Sequence, residues 1–137
     1  MKCSLQEERS ALAQAARARR LVREDRLIEA LKVLDQAVQL TPESGVLHDE
    51  RGLVLALLSR EQEALQSYER ALTLLKEPSA QAAVYFHRAL LYGRRGELDQ
   101  ALLDVKRAAR WDEHNATYQE ALDALQQARK QQRVEVP

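Results

Sequence analysis

Aligned against itself, the chain repeats. The segments Glu29-Ala30-Leu31, Glu63-Ala64-Leu65 and Gln100-Ala101-Leu102 each place a leucine after an alanine, and each is followed seven residues later by another alanine: Ala37, Ala71 and Ala108. The interval from Ala30 to Ala64 is 34 residues and from Ala64 to Ala101 it is 37, and the second alanine series keeps both intervals. Self-similarity at a period of roughly 20–50 residues marks a stack of one supersecondary unit, because a unit too small to bury its apolar face alone buries it against its neighbours.

Stepping back within each period finds a second small residue, Ala18, Gly52 or Ala89, followed three positions later by Leu21, Leu55 or Tyr92. Ala, Leu, Arg, Glu and Gln dominate the composition, and these are strong helix formers. Each period therefore predicts two helices joined by a short turn. Facing positions without bulk let two antiparallel helices approach closely. Gly52 needs that reason, since glycine inside a helix costs about 0.8–1.0 kcal/mol relative to alanine. In the third unit the turn is Arg94-Arg95-Gly96-Glu97, with glycine where a helix ends in a left-handed residue; the matching turns near Asp25 and Ser59 are polar and lack glycine.

These residues resemble the tetratricopeptide repeat, a unit of about 34 residues that reads W-x2-L-G-x2-Y, then A, then A-x3-F, then P. The large residue of the second helix is Leu34, Tyr68 or Val105, and the closing proline is kept at Pro42. Gln14, His48 and Tyr85 stand at the opening Trp position, and Lys76 and Glu113 replace the other two prolines. The resemblance implies an all-α fold, an α-solenoid of three helix-turn-helix repeats with a C-terminal capping helix. The expected boundaries are an N-terminal arm or helix extension over 1–10, repeats over 11–44, 45–78 and 79–114, a capping helix over 115–129 and a frayed end over 130–137. The three extra residues fall around Glu77-Pro78-Ser79, where a longer loop capped by Ser79 is expected. Tyr118, Leu122 and Leu125 form the apolar face of the cap, which Asn115 is placed to start.

Several function classes find little support. Lys+Arg and Asp+Glu are both 21 in 137 residues, so no net charge advertises a nucleic acid or a membrane surface. Cys3 is the only cysteine, which leaves no intramolecular disulfide and no cysteine zinc site. The charged start and short apolar runs predict a soluble, cytoplasmic protein. His48, His87 and His114 stand far apart in no metal-binding spacing, the four glycines make no phosphate loop, and no nucleophile motif is present. The expectation is a non-catalytic chain with no metal and no cofactor, in which His48 fills a ring position of the repeat. Arg17, Arg19, Arg20, Arg23 and Arg26 are the densest basic cluster. Glu24, Asp25 and Glu29 follow and no aromatic is interleaved, so a solvated helix face comes first, a partner contact second and nucleic acid last.

The resemblance also implies a binding wall, because proteins of this kind usually take a peptide or an amphipathic helix along the first helices of their repeats. By register, that wall comprises Ala15, Ala16, Arg19 and Arg23, then Asp49, Glu50, Leu53, Ala56 and Leu57, then Phe86, His87, Leu90 and Arg94. The competing expectation is that Leu53, Leu57, Phe86 and Leu90 are core, covered by the chain's own termini. In the co-chaperone branch of the family, lysine, asparagine and arginine from three first helices grip an acidic chaperone tail. The matching positions here are Ala15 and Arg19, Glu50, and Ala83 and His87, so that clamp is not expected to work. The predicted function is a protein-binding adaptor or scaffold, with homo-oligomerisation or assembly into a larger complex through the repeats as the alternative.

Overall fold

The computed structural model describes residues 4–135, so Cys3 lies outside the described residues. Those residues form seven helices and no strand: α1 Leu5–Arg23, α2 Leu27–Leu40, α3 Gly45–Leu57, α4 Glu61–Leu74, α5 Pro78–Arg94, α6 Leu98–Trp111 and α7 Ala116–Glu135. They divide into two compact units, Met1–Lys76 with α1 to α4 and Glu77–Pro137 with α5 to α7.

The helix starts follow from local chemistry. Ser4 and Glu7 form a reciprocal capping box on α1: the Ser4 hydroxyl accepts from the Glu7 N–H at 3.2 Å, and the Ser4 N–H donates to the Glu7 carboxylate at 2.8 Å. The 1–10 segment is thus helical extension from Leu5 onward. Ser44 caps α3 through the Leu47 N–H, and Asn115 caps α7 by accepting from the Tyr118 N–H at 3.2 Å. The region of the three extra residues differs from expectation. Pro78 itself begins α5, with Glu77 as the flanking residue, so Ser79 lies inside the first turn rather than capping it. Proline fits a first helical position because its φ is already set and its missing N–H would have had no partner there. The extra residues therefore lengthen α5 rather than the loop, which spans only 75–77. At the other end α7 continues to Glu135, through residues expected to fray; 136–137 lie outside the described residues.

Inside each hairpin the small and the large repeat positions are both buried. Ala18 and Leu34 are both buried, as are Ala89 and Val105, which share one core cluster with Ala108 and Tyr118. At Gly52 a methyl group would come within 2.5 Å and 2.7 Å of carbons of the buried Tyr68 ring. The repeat thus matches sizes at these positions, a glycine against a tyrosine in the second hairpin and an alanine in one cluster with a valine in the third. Asp25, Ser59 and Gly96 end the three hairpin turns with φ of 59°, 61° and 76°, so the left-handed residue recurs in every unit even where glycine does not.

Arginines one position before the small residues add a polar layer. Arg51 donates to the Ser67 hydroxyl at 2.9 Å and to the Asp35 carboxylate at 2.7 Å. Arg88 donates twice to Asp104, at 2.7 and 2.9 Å, and Arg107 donates to the same carboxylate at 3.0 Å. Asp104 is 1% exposed, so it is a buried charge held by two guanidinium groups. Arg88 lies over the rings of Tyr85 and Tyr92, and Arg107 over Tyr85.

Candidate interaction surface

In the Met1–Lys76 unit, Arg19 of α1 bonds Glu50 of α3 at 3.2 Å, which fixes that the helix stripes carrying these residues adjoin. Along the α3 stripe Leu53 is half-buried and Leu57 is 51% exposed, too open for a core leucine. Asp49 and Glu50 are half-buried, and Arg19 and Arg23 are exposed. Ala15 and Ala56, expected on the same wall, are buried beneath it, and Ala16 alone of the three alanines reaches solvent. The reason is geometric. Ala15 and Ala56 have side chains too short to clear the helix contacts around them, whereas leucine and arginine at neighbouring stripe positions extend past those contacts.

Leu12, absent from the expected wall, is 54% exposed one turn before Ala16. The 12, 16, 19, 23 spacing is the signal that identifies it, since residues three and four apart share one helix face.

The Glu77–Pro137 unit carries the remaining expected residues on α5. Leu90 is 50% exposed and Arg94 is exposed, whereas Phe86 and His87 are half-buried. The Phe86 ring packs on Tyr118 of α7 at 5.3 Å between centroids and belongs to the edge of that unit's core. Its burial comes from the capping helix, so Phe86 joins packing to whatever surface role it has. Burial also raises the Tyr118 hydroxyl pKa above its ordinary value, with Asp112 adding to the rise.

His48 is half-buried and bonds the Pro42 carbonyl at 2.9 Å; burial lowers its pKa, against the carbonyl contact that raises it, with Arg70 and Arg51 adding to the fall. It occupies the ring position of its repeat as a packed, hydrogen-bonded side chain. Among the described residues no three His, Cys, Asp or Glu side chains gather as a metal site would require, and no helix is long and apolar enough to cross a membrane.

No family model matches the chain, and no curated protein does. Solved structures match well in shape. The first TPR domain of human RPAP3 superposes with a TM-score of 0.81 at 18% identity, covering 91% of this chain and 96% of that one. The first TPR of Spaghetti (RPAP3), bound to the HSP90 peptide SRMEEVD, gives 0.76 at 19% identity over 86% of this chain and 94% of that one. The Arabidopsis OM64 TPR domain gives 0.76 at 16% identity, over 88% and 98%.

Proposed function

We infer, for a chain with the all-α fold of tetratricopeptide-repeat domains, that it is a non-catalytic module binding another polypeptide. The binding surface is the first-helix wall: Arg19, Arg23, Asp49, Glu50, Leu53 and Leu57 in the Met1–Lys76 unit, joined by Leu12. Phe86, His87, Leu90 and Arg94 form a patch of the same repeat positions in the other unit. The observation that carries this reading is the half-exposed pair Leu12 and Leu57 on stripes joined by the Arg19–Glu50 bond. Apolar side chains rimmed by charge fit an amphipathic helix or a peptide with apolar anchors. Burial supplies the strength of such contacts, and rim charges set approach and orientation.

The HSP90 peptide held by one structure of the same fold is acidic, and this wall suits it poorly. Arg19, the one cation at a matching clamp position, is already paired with Glu50, whose carboxylate repels a carboxylate ligand. An acidic chaperone tail should therefore show no calorimetric binding at this wall.

The test compares affinity capture by the wild-type chain with capture by Leu53→Ser/Leu57→Ser and by the control Ile28→Ser, whose side chain is exposed on α2. A specific protein lost only with the wall variant supports the reading. Identical captures from all three overturn it. Concentration-dependent self-association in sedimentation, abolished by the wall variant alone, would replace the foreign partner with a second copy.

A further inference from the structure

We propose that the outer groove of the first hairpin, between α1 and α2, is a second docking surface, one that takes an acidic peptide segment of a partner protein. It is separate from the α1–α3 wall and does not depend on it.

The repeat itself shows what is unusual about this groove. Arg17 precedes Arg51 by 34 residues, as Ala13 precedes Leu47 and Arg20 precedes Val54. In α3 these three positions form the face turned to the preceding hairpin: Leu47 and Val54 are 0% and 1% exposed, and Arg51 reaches Asp35 of α2. In α1 the same three positions are all exposed, and two of them are arginine. A face that took another repeat by apolar stacking would carry residues like Leu47 and Val54; arginine there strongly disfavours dry burial. Charge is what this face has to offer.

Two of its cations, Arg17 and Arg20, are also disengaged. Sixteen residues after Arg51 lies Ser67, which accepts from it; the residue at the same offset from Arg17 is Val33, which has no acceptor side chain. Among the described residues neither Arg17 nor Arg20 has an ion pair or a side-chain hydrogen bond, although Arg19 and Arg26 do. Arg17, Arg20, Arg26 and Lys32 line a cleft of about 610 Å³ together with Glu24 and Glu29. Both carboxylates are bonded by Arg26, and Lys32 adds its attraction to Glu29, so Arg17 and Arg20 are left to face an incoming anion. The five-arginine cluster of the sequence is thus divided by the helix: Arg19 turns to α3, and Arg17 and Arg20 line the opposite groove.

The shape favours a peptide over a small anion. A second depression continues along the same two helices, sharing Arg17, Val33 and Gln36 with the first and ending at Leu40, which is 83% exposed. A segment lying along it meets cations at one end and an exposed leucine at the other. Asp35 against Arg51 is the template for the contact: a helix laid beside a hairpin, with its carboxylate on the arginine.

The experiment uses the full chain and a fluorescein-labelled, alanine-rich helical peptide with a stripe of glutamates and a terminal leucine, read by anisotropy. A control peptide carries glutamine for each glutamate, and a single-stranded DNA oligonucleotide of equal charge tests for a general polyanion site. The glutamate peptide should bind, Arg17→Glu/Arg20→Glu should weaken it by about tenfold or more, and Arg17→Gln/Arg20→Gln should weaken it less, all with unchanged helical circular dichroism. The wall variant Leu53→Ser/Leu57→Ser should bind it normally, which keeps this proposal distinct from the binding wall. No binding, equal binding of the glutamine peptide, equal binding by both arginine variants, or equally tight, arginine-dependent binding of the oligonucleotide would each overturn the proposal.

Discussion

Replacing Gly52 by alanine should destabilise the protein, although the substitution favours a helix taken alone. In a solvated helix the exchange would gain about 0.8–1.0 kcal/mol. Here the new methyl group would lie 2.5 Å from one carbon of the Tyr68 ring, 2.7 Å from a second and 3.1 Å from a third. Tyr68 is 1% exposed, so its ring has no open side to swing into. Overpacking of this kind costs typically about 1–3 kcal/mol, which exceeds the propensity gain over most of its range and leaves a net loss of about 1–2 kcal/mol at the upper end. Urea unfolding followed by circular dichroism measures the loss. The decisive arm is the double variant. In a Tyr68→Leu background, where the pair copies Ala18 with Leu34, Gly52→Ala should become neutral or stabilising. The favourable coupling between the two sites should then be about 1 kcal/mol or more, within the range seen for residues in contact. A stabilising Gly52→Ala in the wild-type background, or two effects that simply add, would refute size pairing as the reason for the glycine.

Asp104→Ala should cost about 3–5 kcal/mol in the same assay, since it leaves the largely buried Arg88 without its acceptor; Asp104→Ser, copying the Ser67 arrangement, should recover part of the loss. Ser59→Gly should stabilise by up to about 1 kcal/mol by relieving a left-handed backbone at φ 61°, whereas Gly96→Ala should destabilise by strain alone, since its new methyl group would meet no atom within 4 Å. Because burial depresses the His48 pKa, the unfolded chain binds this proton more readily; its stabilising share is full above the ordinary value of 6.5, falls as pH drops below it and levels off beneath the depressed value. His48→Gln should remove that part of the pH dependence, and an unchanged stability difference between pH 8 and pH 5 would count against it.

The fold was legible because its signal is internal. Alanines at 30, 64 and 101, and small residues at 18, 52 and 89, can be aligned without any outside reference, and a helix-forming composition together with the resemblance to the tetratricopeptide repeat turns that spacing into hairpins and their order. Where the structure departs from the sequence expectation, a local rule has competitors. Pro78 predicts a loop breaker, but at the first helical position its fixed φ starts α5 instead. The general behaviour of termini predicts a frayed end for α7, and its continuation to Glu135 brings contacts the sequence does not display, among them Gln132 donating to the Gly96 carbonyl at 3.5 Å. The candidate wall was less legible. Register selects a helix stripe but does not say how far each side chain protrudes, so it assigns Ala15 and Ala56 to a surface that buries them and leaves out the exposed Leu12.

The arginines at 17, 51 and 88 show why repetition defines a position more firmly than a role. All three precede the small residue that seats the second helix, and the repeat gives no means of telling them apart. What separates them is the acceptor each meets: Ser67 and Asp35 for Arg51, Asp104 for Arg88, and for Arg17 the apolar Val33. Where the acceptor is a carboxylate that is 1% exposed, the arginine is tied into the interior and its removal is a matter of folding. Where no acceptor is supplied and the face is open, the same side chain remains available to a partner. If a carboxylate were installed opposite Arg17 by Val33→Asp, it should draw the guanidinium into the hairpin as Asp104 does Arg88, and the affinity of the outer groove for an acidic peptide should fall even though no arginine has been removed. Undiminished affinity in that variant would mean that the groove does not recognise its ligand through Arg17.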